Sequence, residues 1–186
     1  MVEITTDILT HWVNKAKQGD KTSFARLYKQ YSVAMFNICI RMVGEYNTAQ
    51  DLLQEIFIKV FKNLHSLQQP ERFGGWVKQI AVRECISHTR KKGAISSWLS
   101  MDEQEDTEDE MEETWWNDRS IEEIHKAIKS LPEGSRQIFN LFALEDYSHR
   151  QIAELLGITE STSKTQYHRA KKLLKDKLVK ILDFNG

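Results

Sequence analysis

Between Ala49 and Leu64 the apolar residues Ala49, Leu52, Leu53, Ile56, Phe57, Val60, Phe61 and Leu64 recur in alternating steps of three and one, without a break. That spacing keeps one side of a helix apolar, and no strand, whose side chains alternate with a period of two, can bury it. The other side carries Asp51, Gln54, Glu55, Lys59 and Lys62. The segment before it obeys the same logic. Phe24, Leu27, Tyr28, Tyr31, Met35, Ile38 and Met42 share a face, Asp20 is placed to cap the start, and Gly44 to end it. A shorter helix from Asp7 to Lys17 would bury Ile8, Trp12 and Ala16. No segment shows strand alternation, and no internal repeat of solenoid length is present. The expected fold class is therefore all-α.

Residues 66–75 predict a loop, because Pro70 and the pair Gly74-Gly75 interrupt helical continuity. A helix restarts near Trp76 and runs through Val77, Ile80, Ala81 and Cys85 to Arg90, Lys91 and Lys92, with Gly93 as its stop. Trp76, four residues before Ile80, fits the core better than a surface platform. The composition then changes. Residues 94–120 carry 1 basic and 10 acidic groups, and self-repulsion with few apolar residues predicts an extended interdomain linker. Trp98, Trp115 and Trp116 are unusual in such a stretch. Periodicity returns at Ile121, Ile124, Ile128 and Leu131. Pro132-Glu133-Gly134 ends that helix, Ser135 is placed to cap the next, and Ile138, Phe139, Leu141, Phe142 and Leu144 supply core. The expected architecture is two small helical domains, residues 1–93 and 121–186, joined by an acidic linker over 94–120.

A net charge of −1, from 26 Lys and Arg against 27 Asp and Glu, would argue against a nucleic-acid partner if charge were spread evenly. It is not. Residues 1–93 hold 14 basic and 8 acidic groups and residues 121–186 hold 11 and 9, so two basic blocks flank one acidic block. No apolar run approaches the roughly 20 residues of a bilayer span, and no membrane insertion is expected. The N-terminus lacks the basic and apolar regions of a secretory signal. Cys39 and Cys85 are too isolated for a disulfide framework, so a reducing cytoplasm is the expected setting.

The densest motif lies at 148–170. Ser148 and Gln151 have capping-box spacing, and Ile152, Ala153, Leu155 and Leu156 give the first helix an apolar side. Ala153 lets a second helix cross closely, Gly157 permits a left-handed turn, and Thr159 caps that second helix. From 162 to 180 the second helix carries 7 basic residues against one acid, Asp176. A solvated amphipathic helix would explain the charge alone. The closely crossing, doubly capped pair points instead to a helix-turn-helix whose basic second helix suits phosphates, with Gln166, His168 and Arg169 able to reach base edges.

Taken together, these stretches resemble the extracytoplasmic-function group of bacterial RNA polymerase sigma factors. Ala49 to Phe57 is similar to that family's A-x-D-x-x-Q-E-x-F helix. Phe73-Gly74-Gly75-Trp76 with Ile80-Ala81 is similar to its F-x-x-W-x-x-x-I-A element, and Leu131 to Ala170 to its helix-turn-helix. The resemblance implies that Asp51, Gln54 and Glu55 contact the clamp-helix coiled coil of the polymerase largest subunit. It implies that the loop at 67–75 and the helix after it open and read the promoter −10 element through Phe73, Arg83, Ser87, Arg90, Lys91 and Lys92. It assigns Lys164, Thr165, Gln166, His168, Arg169 and Lys172 to the −35 element. Core polymerase, including its flap, promoter DNA and an inhibitory anti-sigma factor are the implied partners, with no cofactor and no metal.

The chain departs from the family pattern in places. Arg83 and Ser87 stand where Asn and Asp are usual, Ser163 where an apolar residue is usual, and Gln166 where Arg is frequent. Ser163 is therefore expected to weaken helix packing, and Gln166 to favour adenine as a partner. A helix-turn-helix regulator that acts without polymerase is the competing function; it would have no use for the face at Asp51, Gln54 and Glu55. An enzyme is disfavoured. H-E-x-x-H, G-x-S-x-G and P-loop patterns are missing from the sequence, and Cys85 with His88 forms only half of a metal-ligand set.

Overall fold

A computed structural model of the chain describes residues 5–91 and 120–184, all in helices, turns and short connections. Contacts cluster into two units, Met1–His88 and Thr89–Gly186. The first contains α1 (Thr6–Lys17), α2 (Lys21–Val43), α3 (Tyr46–Asn63), two 3-10 turns (Leu64–Ser66 and Pro70–Arg72) and all but the last turn of α4 (Phe73–Lys91). Asp20 caps α2 as expected, its carboxylate accepting from the Ser23 backbone N–H at 2.8 Å. Gly44 closes that helix in the left-handed region at φ 77°. Glu45 then caps α3, accepting from the backbone N–H groups of Asn47 at 2.9 Å and Thr48 at 2.6 Å.

The α3 stripe is buried as its spacing demands: Ala49, Leu52, Leu53, Ile56, Phe57 and Val60 all lie inside. It packs on α2, where Phe24 meets Phe61 and Tyr28 meets Phe57, each pair with ring centroids 4.7 Å apart. The α1 expectation requires correction. That helix buries Leu9, Val13 and Ala16, leaving Ile8 exposed and Trp12 half-buried under the Arg26 guanidinium, 5.7 Å from the ring centroid. Contact with both α2 and the second 3-10 turn rotates the buried stripe by one residue.

The loop at 66–75 also differs from expectation. Its first part winds into the two 3-10 turns, held to α1 where Lys17 Nζ donates to the Leu67 carbonyl. Helix α4 then begins at Phe73 rather than near Trp76, so Gly74 and Gly75 fall inside its first turn. Glycine keeps its backbone N–H and can adopt helical φ and ψ, so the pair costs the helix backbone entropy but breaks no hydrogen bond. Gly74 has a packing role instead: a Cβ at this position would sit 3.1 Å from Tyr31 Cε1. An ion pair between Lys59 and Glu84 joins α3 to α4.

The second unit holds α5 (Ile121–Lys129), α6 (Glu133–Phe139), a π-helical turn (Asn140–Leu144), α7 (His149–Leu156) and α8 (Glu160–Phe184). Ser120 and Glu123 form a capping box on α5. The core gathers Ala127, Ile128, Leu131 and Phe139 around Ala170, Leu174 and Leu178 of α8. Ser135 is not a cap. Helix α6 starts two residues earlier behind Pro132, whose carbonyl accepts from the Arg136 N–H at 2.9 Å, and Ser135 is buried within it. Lys92, Gly93, Trp98, Trp115, Trp116 and the acidic run lie outside the described residues. Among the described residues no helix is long and apolar enough to cross a membrane.

Candidate nucleic-acid and partner interfaces

The helix-turn-helix is built by three local devices. Ser148 Oγ accepts from the Gln151 N–H at 3.3 Å while Gln151 Oε1 accepts from the Ser148 N–H at 2.9 Å, which fixes the start of α7. Gly157, at φ 71°, turns the chain and donates its N–H to the Ala153 carbonyl at 2.9 Å. Thr159 Oγ1 then accepts from the Thr162 N–H at 3.0 Å and opens α8.

Along α8 the buried stripe is Ser163, Gln166, Ala170, Leu174 and Leu178. The opposite side presents Lys164 and Lys172, both exposed, with Thr165, His168 and Arg169 half-buried. Lys164 pairs with Glu160 one turn earlier at 3.0 Å. Lys171 Nζ lies 5.3 Å from the Tyr167 ring centroid. Five of the six residues expected at a DNA face are therefore at least partly accessible. Gln166 is not. It is 6% exposed and its Oε1 accepts from Ser135 Oγ at 2.8 Å, so it cannot reach a base edge here. Its position, four before Ala170 and eight before Leu174, is the signal that places it inward.

Ser163 is likewise buried, but it has a partner: His149 Nδ1 lies 2.9 Å from Ser163 Oγ. The His149 ring stacks on Phe142 with centroids 4.2 Å apart and planes 16° from parallel, and its edge meets Tyr167 at 5.6 Å. Burial, then the Lys164 ammonium, hold its pKa below the ordinary histidine value, with Glu160 opposing. The weak packing expected at Ser163 is thus replaced by a hydrogen bond.

In the first unit a cleft of about 670 Å³ opens between the 3-10 turns and α4. Leu67 and Trp76 give it apolar wall, and Gln68, Gln69, Gln79 and Arg72 give it polar edges. Two expectations change here. Phe73 is 0% exposed, its ring edge-on to Tyr31 at 5.1 Å, so it belongs to the core rather than to a loop surface. Trp76, expected inside, is the aromatic that faces the cleft. Arg72, Trp76, Gln79, Arg83 and Ser87 succeed one another by three or four residues and so share a face. Arg83, Ser87, Arg90 and Lys91 are exposed, and Lys92 lies outside the described residues.

On α3, Asp51, Gln54 and Glu55 are all exposed on the side away from the stripe. Gln54 also borders a smaller cleft of about 280 Å³ with Gln50 and Tyr46 of α3 and Tyr28, Val33 and Phe36 of α2. Gln50 Nε2 donates to the Tyr46 hydroxyl at 3.3 Å, and the Tyr46 ring meets Phe36 at 5.4 Å. Val33 is 68% exposed, Tyr46 57% and Ile58 52%. These apolar neighbours of the acidic face were not anticipated. Their signal is phase: Ile58 interrupts the polar side of α3, and Val33 sits off the Tyr31–Met35 stripe of α2.

Known proteins resemble this chain in sequence and in fold. Residues 27–95 match the family model described as sigma-70 region 2, and residues 121–174 match that of sigma-70, region 4. The chain is similar to the ECF RNA polymerase sigma factor SigW of Bacillus subtilis (strain 168), at 28% identity over 176 residues, 89% of this chain and 94% of that protein. It is similar to the RNA polymerase sigma-H factor of Pseudomonas aeruginosa at 25% identity, over 91% of this chain and 93% of that one. In fold it resembles the sigma factor RpoE solved with the anti-sigma factor NepR from Bartonella quintana. The TM-score is 0.53 at 20% identity, covering 85% of this chain and 97% of that chain.

Proposed function

We propose a division of labour for this chain, which belongs to the extracytoplasmic-function group of the sigma-70 family. It is an alternative sigma factor: it directs core RNA polymerase to specific promoters, and the polymerase performs the chemistry. In the proposed division, residues 1–93 bind core polymerase and the −10 element, 94–120 link, and 121–186 bind the −35 element. The observation that carries it is the order of the two matched regions, with a doubly capped helix-turn-helix presenting the basic side of α8 in the second.

At the −35 element, α8 would enter the major groove. Lys164, Arg169 and Lys172 would hold phosphates, and Thr165 and His168 would meet base edges. At the −10 element, the cleft beside α4 suits an unstacked base. Trp76 offers a stacking plane, worth about 1–3 kcal/mol per base, and the amides of Gln68, Gln69 and Gln79 can donate and accept at a base edge. Arg83, Arg90, Lys91 and Lys92 would track the backbone, with Ser87 beside them. Asp51, Gln54 and Glu55 would meet the polymerase clamp helices, with exposed Tyr46, Val33 and Ile58 adding apolar contact around them. The second domain would lie against the polymerase flap. An anti-sigma factor is the fitting inhibitor, since it would cover the same surfaces, and the cytoplasm, where the polymerase works, is the fitting location.

The decisive test is reversal of the α3 face. An Asp51→Lys/Glu55→Lys variant should lose at least ten-fold in affinity for core polymerase, with its unfolding midpoint unchanged because both carboxylates are exposed. Unchanged core binding would overturn the assignment and favour a regulator that acts on DNA alone.

A further inference from the structure

We infer that two polar contacts, the buried Ser135–Gln166 pair and the part-buried His149–Ser163 pair, set the rotational register of α8 and so determine which of its residues the promoter meets. The inference rests on α8 being the helix that reads the −35 element. Its starting point is a break in the inner stripe. In the second half of α8 the inward positions are Ala170, Leu174 and Leu178, all buried in the apolar core. In the first half, the half that carries Lys164, Thr165 and His168, the inward positions are Ser163 and Gln166. Where apolar knobs would ordinarily seat a recognition helix, this chain has hydrogen-bonding groups.

Apolar contact and hydrogen bonding constrain a helix differently. The hydrophobic effect is non-directional, and apolar cores lose uniqueness on repacking before they lose stability. A hydrogen bond at 2.8 Å or 2.9 Å is directional, and it weakens as its partners turn out of line. Ser163 and Gln166 project about 60° apart around the helix. They engage different elements, His149 at the start of α7 and Ser135 within α6. A roll of α8 in either sense therefore breaks at least one contact and leaves a buried polar group without its partner, which is costly. His149 is itself held between Phe142 and Tyr167, so the α7 anchor does not swing. Buried polar contacts of this kind trade stability for a unique register. Ser135, His149, Ser163 and Gln166 are accordingly positioning residues: they touch no base, yet they aim Lys164, Thr165, His168 and Arg169.

The test uses the full chain reconstituted with core polymerase and promoter duplexes randomised at the upstream element around a downstream element that supports initiation. The readout is the enrichment ratio of preferred over scrambled upstream sequences. The Ser135→Ala/Gln166→Leu variant removes both partners at once and leaves no orphaned group. Its unfolding midpoint should be equal to or above that of the wild type, while its enrichment ratio falls about ten-fold. A wild-type ratio in that folded variant would overturn the inference. Should the double variant not fold, Ser135→Thr, which keeps the hydroxyl, should retain the ratio that Ser135→Ala loses, and equal ratios in the two would overturn it. A wild-type chain with no upstream preference would instead defeat the assignment of α8 as the reading helix, a failure distinct from equal discrimination across the variants.

Discussion

Exchanging the roles of Phe73 and Trp76 yields the sharpest prediction. Phe73 is 0% exposed, its ring 5.1 Å from that of Tyr31 and 6.1 Å from that of Trp76. Truncating a buried Phe to Ala costs about 3–5 kcal/mol in lost transfer energy and cavity, of which the edge-on aromatic pair accounts for about 0.5–1.5 kcal/mol. For a unit of this size each kcal/mol lowers the midpoint by roughly 4–8 °C, so Phe73→Ala should melt the first unit at least about 12 °C early. Trp76 is half-buried at the cleft wall, and Trp76→Ala should cost the fold only about 1–2 kcal/mol while removing the stacking plane. Two units need not unfold together, so stability should be tracked by amide exchange in α2 and α3 rather than by one global signal. Promoter opening can be read in parallel from permanganate reactivity of −10 thymines. Phe73→Leu, which keeps most of the volume, should lose less than about 1.5 kcal/mol and still open promoters; Trp76→Ala should be folded and fail to open them. The reasoning is refuted if Phe73→Leu is stable but cannot melt DNA, or if Trp76→Ala melts it normally.

Two further outcomes rest on neighbouring contacts. His149 has a folded-state pKa below its ordinary value, so the unfolded chain takes up the proton first. The second unit should hold full stability above the ordinary histidine pKa and lose it as pH falls towards the folded value. Unfolding between about pH 8 and about pH 5.5 should show that decline, and His149→Asn should flatten it. Gly74→Ala places a methyl group 3.1 Å from Tyr31 Cε1; the forced ring shift should cost about 1 kcal/mol, and a Tyr31→Leu background should reduce that cost.

Whatever one element decides for itself was legible in the sequence. The α3 stripe is apolar on one side through about four turns, so no neighbour can change which side is buried. The caps at Asp20, Ser148 and Thr159 are satisfied by backbone within three residues, and Gly44 and Gly157 adopt the left-handed conformation that only their own φ angles require. Features that depended on a second element were misread. Gly74 looked like a loop residue because its reason for being glycine is Tyr31, more than forty positions away in the chain. Phe73 and Trp76 exchanged places because the helix began three residues early. Gln166 looked like surface because it is polar, although it is in phase with Ala170, and Ser163 is expected inward but without the partner that it has there. Their partners, the buried Ser135 and the half-buried His149, come from elements whose approach no local pattern encodes. The exposed Val33 and Tyr46 beside the acidic face of α3 escaped notice for the same reason: an apolar residue off its stripe gains meaning only once the cleft beside it is seen.

The central claim is that this chain gives RNA polymerase a promoter preference. It is tested most directly by in vitro transcription with purified core enzyme on a promoter library, with and without the chain. The account predicts start sites that appear only when the chain is present, share common −35 and −10 sequences, and vanish with the Asp51→Lys/Glu55→Lys variant. Transcription from the library that is the same with and without the chain would contradict it.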